Sequence, residues 1–154
     1  PPAPALPVTT LAVPGVTRAP EWGLDVTVQI LEELPRDCPP TRSGPSGEEA
    51  FLDPGAVDGP LTIRQRRAGD RLYPLGAPGT KKLQDIFVDL KVPRAARDHI
   101  PVVTCAGRVA WIPGCRIDRR FAISARGGPA LSVRVRRAAG AGVDTPSDTR
   151  RAQT

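Results

Sequence analysis

At 154 residues the chain is long enough to bury a core and short enough to favour one domain with at most a subdomain. Its 40% hydrophobic content argues against wholesale disorder, and no apolar run approaches the ~18 residues of a membrane span. The net charge of +6 is segregated: residues 1–60 hold three Arg and nine acids, 61–120 hold thirteen Lys/Arg and five acids, and 121–154 hold six Arg and two Asp. A one-sided basic field attracts polyanions, nucleic acid first among them. The competing reading is an ordinary surface in which Arg replaces Lys, as a GC-rich genome dictates.

Residues 1–7 read as a Pro/Ala linker that lacks the basic flank and apolar stretch of a signal peptide. The chain starts without Met, as a piece of a longer protein would. Residues 8–59 form a β-rich leading segment. Within it, Val8–Val13 is a short strand stopped by Pro14-Gly15. Leu24–Ile30 alternates at period two, which points Leu24, Val26, Val28 and Ile30 at a core. Residues 35–48, rich in Pro and Gly, read as a loop, and Glu49–Asp53 as a brief strand.

A second region, 60–136, opens on a strand at Leu61–Arg67 with Leu61 and Ile63 inward and Thr62 and Arg64 outward. Gly69-Asp70 turns it, and Asp70 suits a structural role, accepting turn N–H groups or holding an Arg in register. After a loop at Tyr73–Pro78, Thr80 is the predicted N-cap of a helix near 81–91. Leu83, Ile86, Phe87 and Leu90 form its apolar stripe. Val92-Pro93 ends that helix, and Pro93 starts a second one near 94–100. Val102–Cys105 and Arg108–Ile112 read as a hairpin around Ala106-Gly107. Phe121–Ser124 is a short strand, Leu131–Arg136 the last one, and 137–154 a disordered tail. The fold class is α+β, a mostly antiparallel, sandwich-like sheet with two short helices.

Catalytic constellations are missing. The cysteines Cys38, Cys105 and Cys115 are odd in number and without a C-x-x-C, which supports neither a disulfide framework nor a zinc site and fits a reducing cytoplasm. His99 beside Asp98 has no nucleophile to serve and reads as a surface or capping residue. Trp111, in an alternating strand, reads as core, whereas Tyr73 and Trp22 in loops are weak candidates for base stacking. Gly76-Ala77-Pro78-Gly79-Thr80-Lys81-Lys82 lacks Walker A spacing. Lys81 and Lys82 would oppose a helix dipole unless an anion joins them, so a phosphate contact stands slightly ahead of a solvated first turn. The alternative pairs these lysines with Asp85 and Asp89 along the helix.

Several of these residues also occur in a specific order. Arg64-x-Arg66-Arg67-x-Gly69-Asp70-Arg71 is followed by Pro74-Leu75-Gly76. Then come Lys81-Lys82-Leu83-x-Asp85-x-Phe87-x-Asp89-x-Lys91-Val92-Pro93-Arg94-x-x-Arg97, Pro101-Val102, and Trp111-x-x-Gly114-x-Arg116-Ile117. This pattern closely resembles the C-terminal domain of bacterial tRNA(Ile)-lysidine synthetase, over about half of the chain. A similar domain type occurs in the phenylalanyl-tRNA synthetase β chain. The lysine-rich signature fits the lysidine enzyme better.

The resemblance implies a parent ligase that adenylates the wobble cytidine of tRNA(Ile) with ATP and Mg and then joins lysine to it. It implies that this chain, which contains no Ser-Gly-Gly-x-Asp-Ser loop, is non-catalytic alone and needs no cofactor of its own. The expected partner is tRNA(Ile), held by its acceptor stem. No membrane is implied, and a homodimer is compatible. The RNA-binding candidates are Arg64, Arg66, Arg67, Arg71, Lys81, Lys82, Arg94 and Arg97, taken as one face. A docking module whose basic face packs on an acidic catalytic domain is the alternative.

Overall fold

The computed structural model describes residues 5–124 and 126–138. Most of the linker (residues 1–4) and nearly all of the expected tail (139–154) lie outside them. The described residues form twelve strands: β1 (Thr9–Thr10), β2 (Gly15–Ala19), β3 (Leu24–Leu31), β4 (Thr41–Gly44), β5 (Gly47–Leu52), β6 (Leu61–Arg64), β7 (Arg71–Leu72), β8 (Lys81–Lys82), β9 (Val102–Cys105), β10 (Arg108–Ile112), β11 (Arg116–Ile117) and β12 (Ala130–Arg137). Two short helices, α1 (Leu83–Asp89) and α2 (Arg94–Arg97), lie between β8 and β9.

All pairings between these strands are antiparallel. One five-stranded sheet runs β1-β6-β9-β10-β11 and a second runs β2-β3-β12-β5-β4, with β7-β8 as a separate ribbon. The last strand sits in the middle of the second sheet, so β12 joins the early strands β3 and β5.

The two sheets share one apolar core, formed by Val26, Val28, Leu52, Leu61, Ile63, Val103, Trp111, Phe121 and Val133 among others. A second cluster covers the other face of the first sheet. Leu83, Ile86 and Phe87 of α1 meet Leu72, Val102, Val109 and Ile112 there. With both faces covered, β9 is buried along its whole length: Val103 and Cys105 face the central core and Val102 faces the helices. A register shift between Val109 and Trp111 lets β10 put Ala110 and Trp111 together into the central core, while Val109 and Ile112 face the helices.

The antiparallel reading, the hairpin at 102–112 and the core position of Trp111 all appear as expected. Ala106 and Gly107 both take positive φ, 51° and 85°, as a tight hairpin turn requires. Other expectations need correction. Ile30 shares the face of Val26 and Val28 but is 58% exposed. The 35–48 loop contains β4 and the turn into β5, whose later residues are the strand expected at 49–53, and a strand, β2, follows the Pro14-Gly15 turn. The turn into β5 depends on Gly47 (φ +108°): a Cβ there would lie 2.3 Å from the Val135 carbonyl oxygen. In place of a strand at 121–124, Ala122 makes one isolated bridge to Leu52.

The helices are shorter than their periodicity suggests. Thr80 does not cap α1. Lys82 occupies the N-cap position with no side-chain bond, and Lys81-Lys82 pair as β8 with Arg71-Leu72. The Leu83 N–H reaches the Asp70 carbonyl (3.0 Å), which ties the start of α1 to the turn after β6. At its other end Val92 donates to Phe87 (2.9 Å) and Lys91 to Val88 (3.0 Å), the paired bonds of a Schellman stop. Val92 then packs into the cluster that holds Phe87.

The left-handed position of that stop is held by Lys91 at φ 57°, where glycine is usual. A left-handed side chain costs roughly 1–2 kcal/mol, and glycine's extra freedom in the unfolded chain returns ~0.5–1 kcal/mol of that. Lys91→Gly is therefore expected to raise stability by ~0.5–1 kcal/mol. A urea midpoint shifted upward at unchanged m-value checks it; a downward shift would show that the lysine side chain contributes more than the strain costs.

Candidate nucleic-acid interface

The turn after β6 is built around one carboxylate. Asp70 Oδ1 and Oδ2 accept Arg64 Nη2 and Nη1, both at 2.9 Å, and Oδ2 also accepts the Arg67 N–H at 2.6 Å. Gly69 (φ 87°) allows the chain to double back, so that the Asp70 N–H also meets the Arg67 carbonyl. The Arg64 side chain is only 8% exposed and also donates to the Gln65 carbonyl. A two-pronged Arg–carboxylate pair with extra hydrogen bonds is the geometry that makes burial of charge tolerable.

The clamp brings three segments together. Gln65 Nε2 donates to the Asp98 carbonyl (3.0 Å) and Arg66 Nε to Asp98 Oδ1 (2.9 Å), which ties the end of α2 to the turn. Between the turn, the start of α1 and Asp98 lies a surface groove of about 440 Å³, lined by Arg66, Arg67, Lys82, Gln84, Asp70 and Asp98 among others. Arg71 stands directly opposite Lys82 across the β7-β8 ribbon.

The eight cations expected on one face divide into classes. Arg64 is internal and belongs to the clamp, not to the surface; the outward position of residue 64 on β6 points under the turn. Arg66 lines the groove but is paired with Asp98. Lys81 pairs with Asp89, eight residues on rather than four, because Lys81 lies on β8 and not within the helix. Arg67, Arg71 and Lys82 are exposed and have no carboxylate partner among the described residues, although Arg71 donates to the Thr80 hydroxyl (3.0 Å). Arg94 and Arg97 flank the same layer on α2. Arg94 is exposed, while Arg97 donates to the Val92 carbonyl and stands 5.9 Å from the Phe87 ring centre. The groove thus unites Arg66, Arg67 and Lys82, with Arg71 beside them. The 76–82 loop leads through β8 into a helix of only seven residues, and of its two lysines Lys82 alone is without an acidic partner among the described residues.

Sequence reasoning missed a second basic cluster. Asp118 is fully buried and accepts the Tyr73 N–H (3.0 Å), the Arg120 N–H (2.8 Å) and two guanidinium bonds from Arg120 (3.0 and 2.9 Å). That hydrogen bonding holds the Arg120 guanidinium protonated even more firmly than usual. Arg119 and Arg120 stand over the Tyr73 ring, 4.9 and 4.1 Å from its centre. Tyr73 is therefore covered by arginine and does not offer a bare ring to a base. Trp22 packs against the central core with its indole N–H on the Pro7 carbonyl. The run Arg116-Ile117-Asp118-Arg119-Arg120, just after the Pro113-Gly114 turn, was the available signal.

The remaining polar groups have structural roles. Asp98 serves Arg66, and His99 is exposed. Burial pushes the Cys115 thiol above its ordinary pKa, which disfavours a reactive thiolate. Asp53 caps a single 3-10 turn, Pro54–Ala56, and its carboxyl is held below its usual pKa by the Ser124 hydroxyl and the Gly55 N–H. That interaction stabilises the fold at neutral pH and is lost as pH falls through the lowered pKa. No group of three or more metal-ligating side chains occurs among the described residues, and no helix of theirs is long and apolar enough to cross a membrane. What the geometry offers is a cation-lined surface.

The chain is 44% identical over 130 residues to a tRNA(Ile)-lysidine synthase of Symbiobacterium thermophilum, covering 84% of this chain and 26% of that protein. It is 41% identical over 88 residues to the tRNA(Ile)-lysidine synthase of Geobacillus kaustophilus, covering 56% of this chain and 18% of that protein. The chain thus spans about a quarter or less of the length of these relatives. A crystal structure of a TILS C-terminal domain superposes with a TM-score of 0.68 at 31% identity, covering 84% of this chain and 95% of the other. The family model of the TilS substrate C-terminal domain matches residues 61–139, the span that carries the clamp, the groove, both helices and the Asp118 cluster. The chain belongs to the TilS substrate C-terminal domain family.

Proposed function

We propose that this chain is the RNA-holding part of a tRNA(Ile)-lysidine synthase, and that its groove grips backbone phosphates of tRNA(Ile), at the acceptor stem. One observation carries the reading. Arg67, Lys82 and Arg71, exposed cations without acidic partners among the described residues, converge on a surface whose shape is held by the internal Arg64–Asp70 clamp. Phosphate contacts of this kind position an RNA without reading its sequence, and an A-form stem is recognised mainly by shape, phosphate and 2′-OH.

The chemistry of the whole enzyme, ATP-dependent joining of lysine to the wobble cytidine, would belong to a part of the protein that these residues do not supply. The sequence holds no Ser-Gly-Gly-x-Asp-Ser loop for ATP and Mg, and the two carboxylates that line the groove, Asp70 and Asp98, are paired with Arg64 and Arg66. The cytoplasm, where tRNA is modified, is the corresponding compartment. A second reading, docking against another domain, draws on Val88 and Leu90, apolar residues of the α1 region left exposed. Filter binding of the chain to tRNA(Ile) at two salt concentrations tests the choice. RNA holding predicts measurable affinity that falls as salt rises; docking alone predicts none at either concentration.

A further inference from the structure

We infer that the RNA path does not end at the groove but continues over Arg71 to Arg119, which serves as a second, pre-oriented phosphate contact. The inference rests on the RNA-holding reading of the groove. It starts from continuity. Lys82 lines the groove and faces Arg71 across β7-β8; Arg71 Nη1 donates to the Thr80 hydroxyl (3.0 Å); and Arg119 Nη1 donates to the carbonyls of Gly79 (3.0 Å) and Ala77 (2.9 Å). One short exposed loop, 77–80, therefore links the two basic clusters.

The state of the Arg119 side chain provides the second argument. Its guanidinium is set against the Tyr73 ring (4.9 Å), and the Arg119 N–H holds the Tyr73 carbonyl at 2.7 Å. Arg120, its neighbour, is neutralised by the buried Asp118, whereas Arg119 has no carboxylate partner among the described residues. An arginine carries five N–H donors, and the contacts of Arg119 use only Nη1. The Nε and Nη2 donors remain on the other edge, the fork that matches two phosphate oxygens. Fixing these donors in advance lowers the ordering cost of binding. Asp118 acts through its neighbours, as a positioning residue that holds Tyr73 and Arg120 around Arg119.

The test is a salt titration of tRNA(Ile) binding with Arg119→Gln. Glutamine ends two bonds short of the Nη1 that reaches the loop carbonyls, so the variant removes the charge and the loop tie together, and its slope is read on protein that melts like the wild type. Arg137→Ala, an exposed cation at the end of β12 in the other sheet, controls for net charge. The expected result is a log–log salt slope shallower by ~0.7–0.9 for Arg119→Gln and unchanged for Arg137→Ala. An unchanged slope in Arg119→Gln, with wild-type RNA binding intact, overturns the extended path and leaves the groove standing. Equal shifts in both variants overturn it too, because the effect would then be one of net charge. A wild-type chain that binds no RNA removes the groove and the path together. Should Arg119→Gln unfold, Arg119→Lys provides the readout: a charge without the fork is expected to keep the slope and weaken binding several-fold, and unweakened binding contradicts a forked contact.

Discussion

Asp70→Ala is expected to cost roughly 3–5 kcal/mol of stability, the range for breaking a buried ion pair from one side. The Arg64 guanidinium, 8% exposed, would keep its charge with only the Gln65 carbonyl as a partner, and the Arg67 N–H would lose its acceptor. The loss should exceed that of a surface pair such as Arg108–Asp58, where the side chains are 40% and 66% exposed and the pair is worth about 0–1 kcal/mol. Urea unfolding of Asp70→Ala beside Asp58→Ala makes the comparison. A clamp variant within ~1 kcal/mol of wild type would show that water or a rearranged turn replaces the carboxylate. Because the same carboxylate shapes the rim that carries Arg67, RNA affinity should fall even under conditions where the variant remains folded.

Phe87→Ala should be comparably severe, about 3–5 kcal/mol for truncation of a fully buried aromatic side chain. Phe87 joins α1 to Leu72, Val102, Val109 and Ile112 beneath it, and its carbonyl takes the Val92 N–H that stops the helix. Truncation leaves a cavity between the helical layer and the first sheet, not between the two sheets. Hydrogen exchange is therefore expected to rise most in α1 and α2 and least in β3 and β12. Uniformly faster exchange would contradict a separate helical layer and would mean that both apolar clusters open as one unit.

How much of this was legible depends on what each stretch had to encode. Leu24–Ile30, Leu61–Arg64, the 102–112 hairpin and Leu131–Arg136 are readable because alternation records a covered face. β4 was not, since Thr41-Arg42-Ser43-Gly44 contains no apolar residue to alternate, and β2 followed a Pro-Gly turn that masked it. The exposure of Ile30 was not readable either, because period shows which face a side chain takes and not how fully that face is covered. The start of α1 was misplaced for a related reason. Leu83, Ile86 and Phe87 mark the buried stripe, but the ribbon pairing of Lys81-Lys82 with Arg71-Leu72 is a long-range contact that local cap signals do not record.

The candidate site shows the same division. The basic residues of the turn were visible as a run, and Asp70 was readable as a structural acid. Its partner was not: Arg64 looked like an outward cation because β6 alternation is right about the face and silent about the turn that folds over it. Arg119 escaped notice because its role depends on Tyr73 and on the 77–80 loop, whose Gly79 lies 40 residues earlier in the chain.

The most direct test of RNA holding by the groove is the salt dependence of tRNA(Ile) binding in Arg67→Ala/Lys82→Ala, set beside Lys81→Ala. With two phosphate partners removed, the double variant should show a log–log slope shallower by ~1.4–1.8, at ~0.7–0.9 per phosphate, while Lys81→Ala, whose charge is already held by Asp89, should leave it unchanged. A double variant that melts like the wild type and keeps the full slope would contradict the account and take the groove out of the RNA interface.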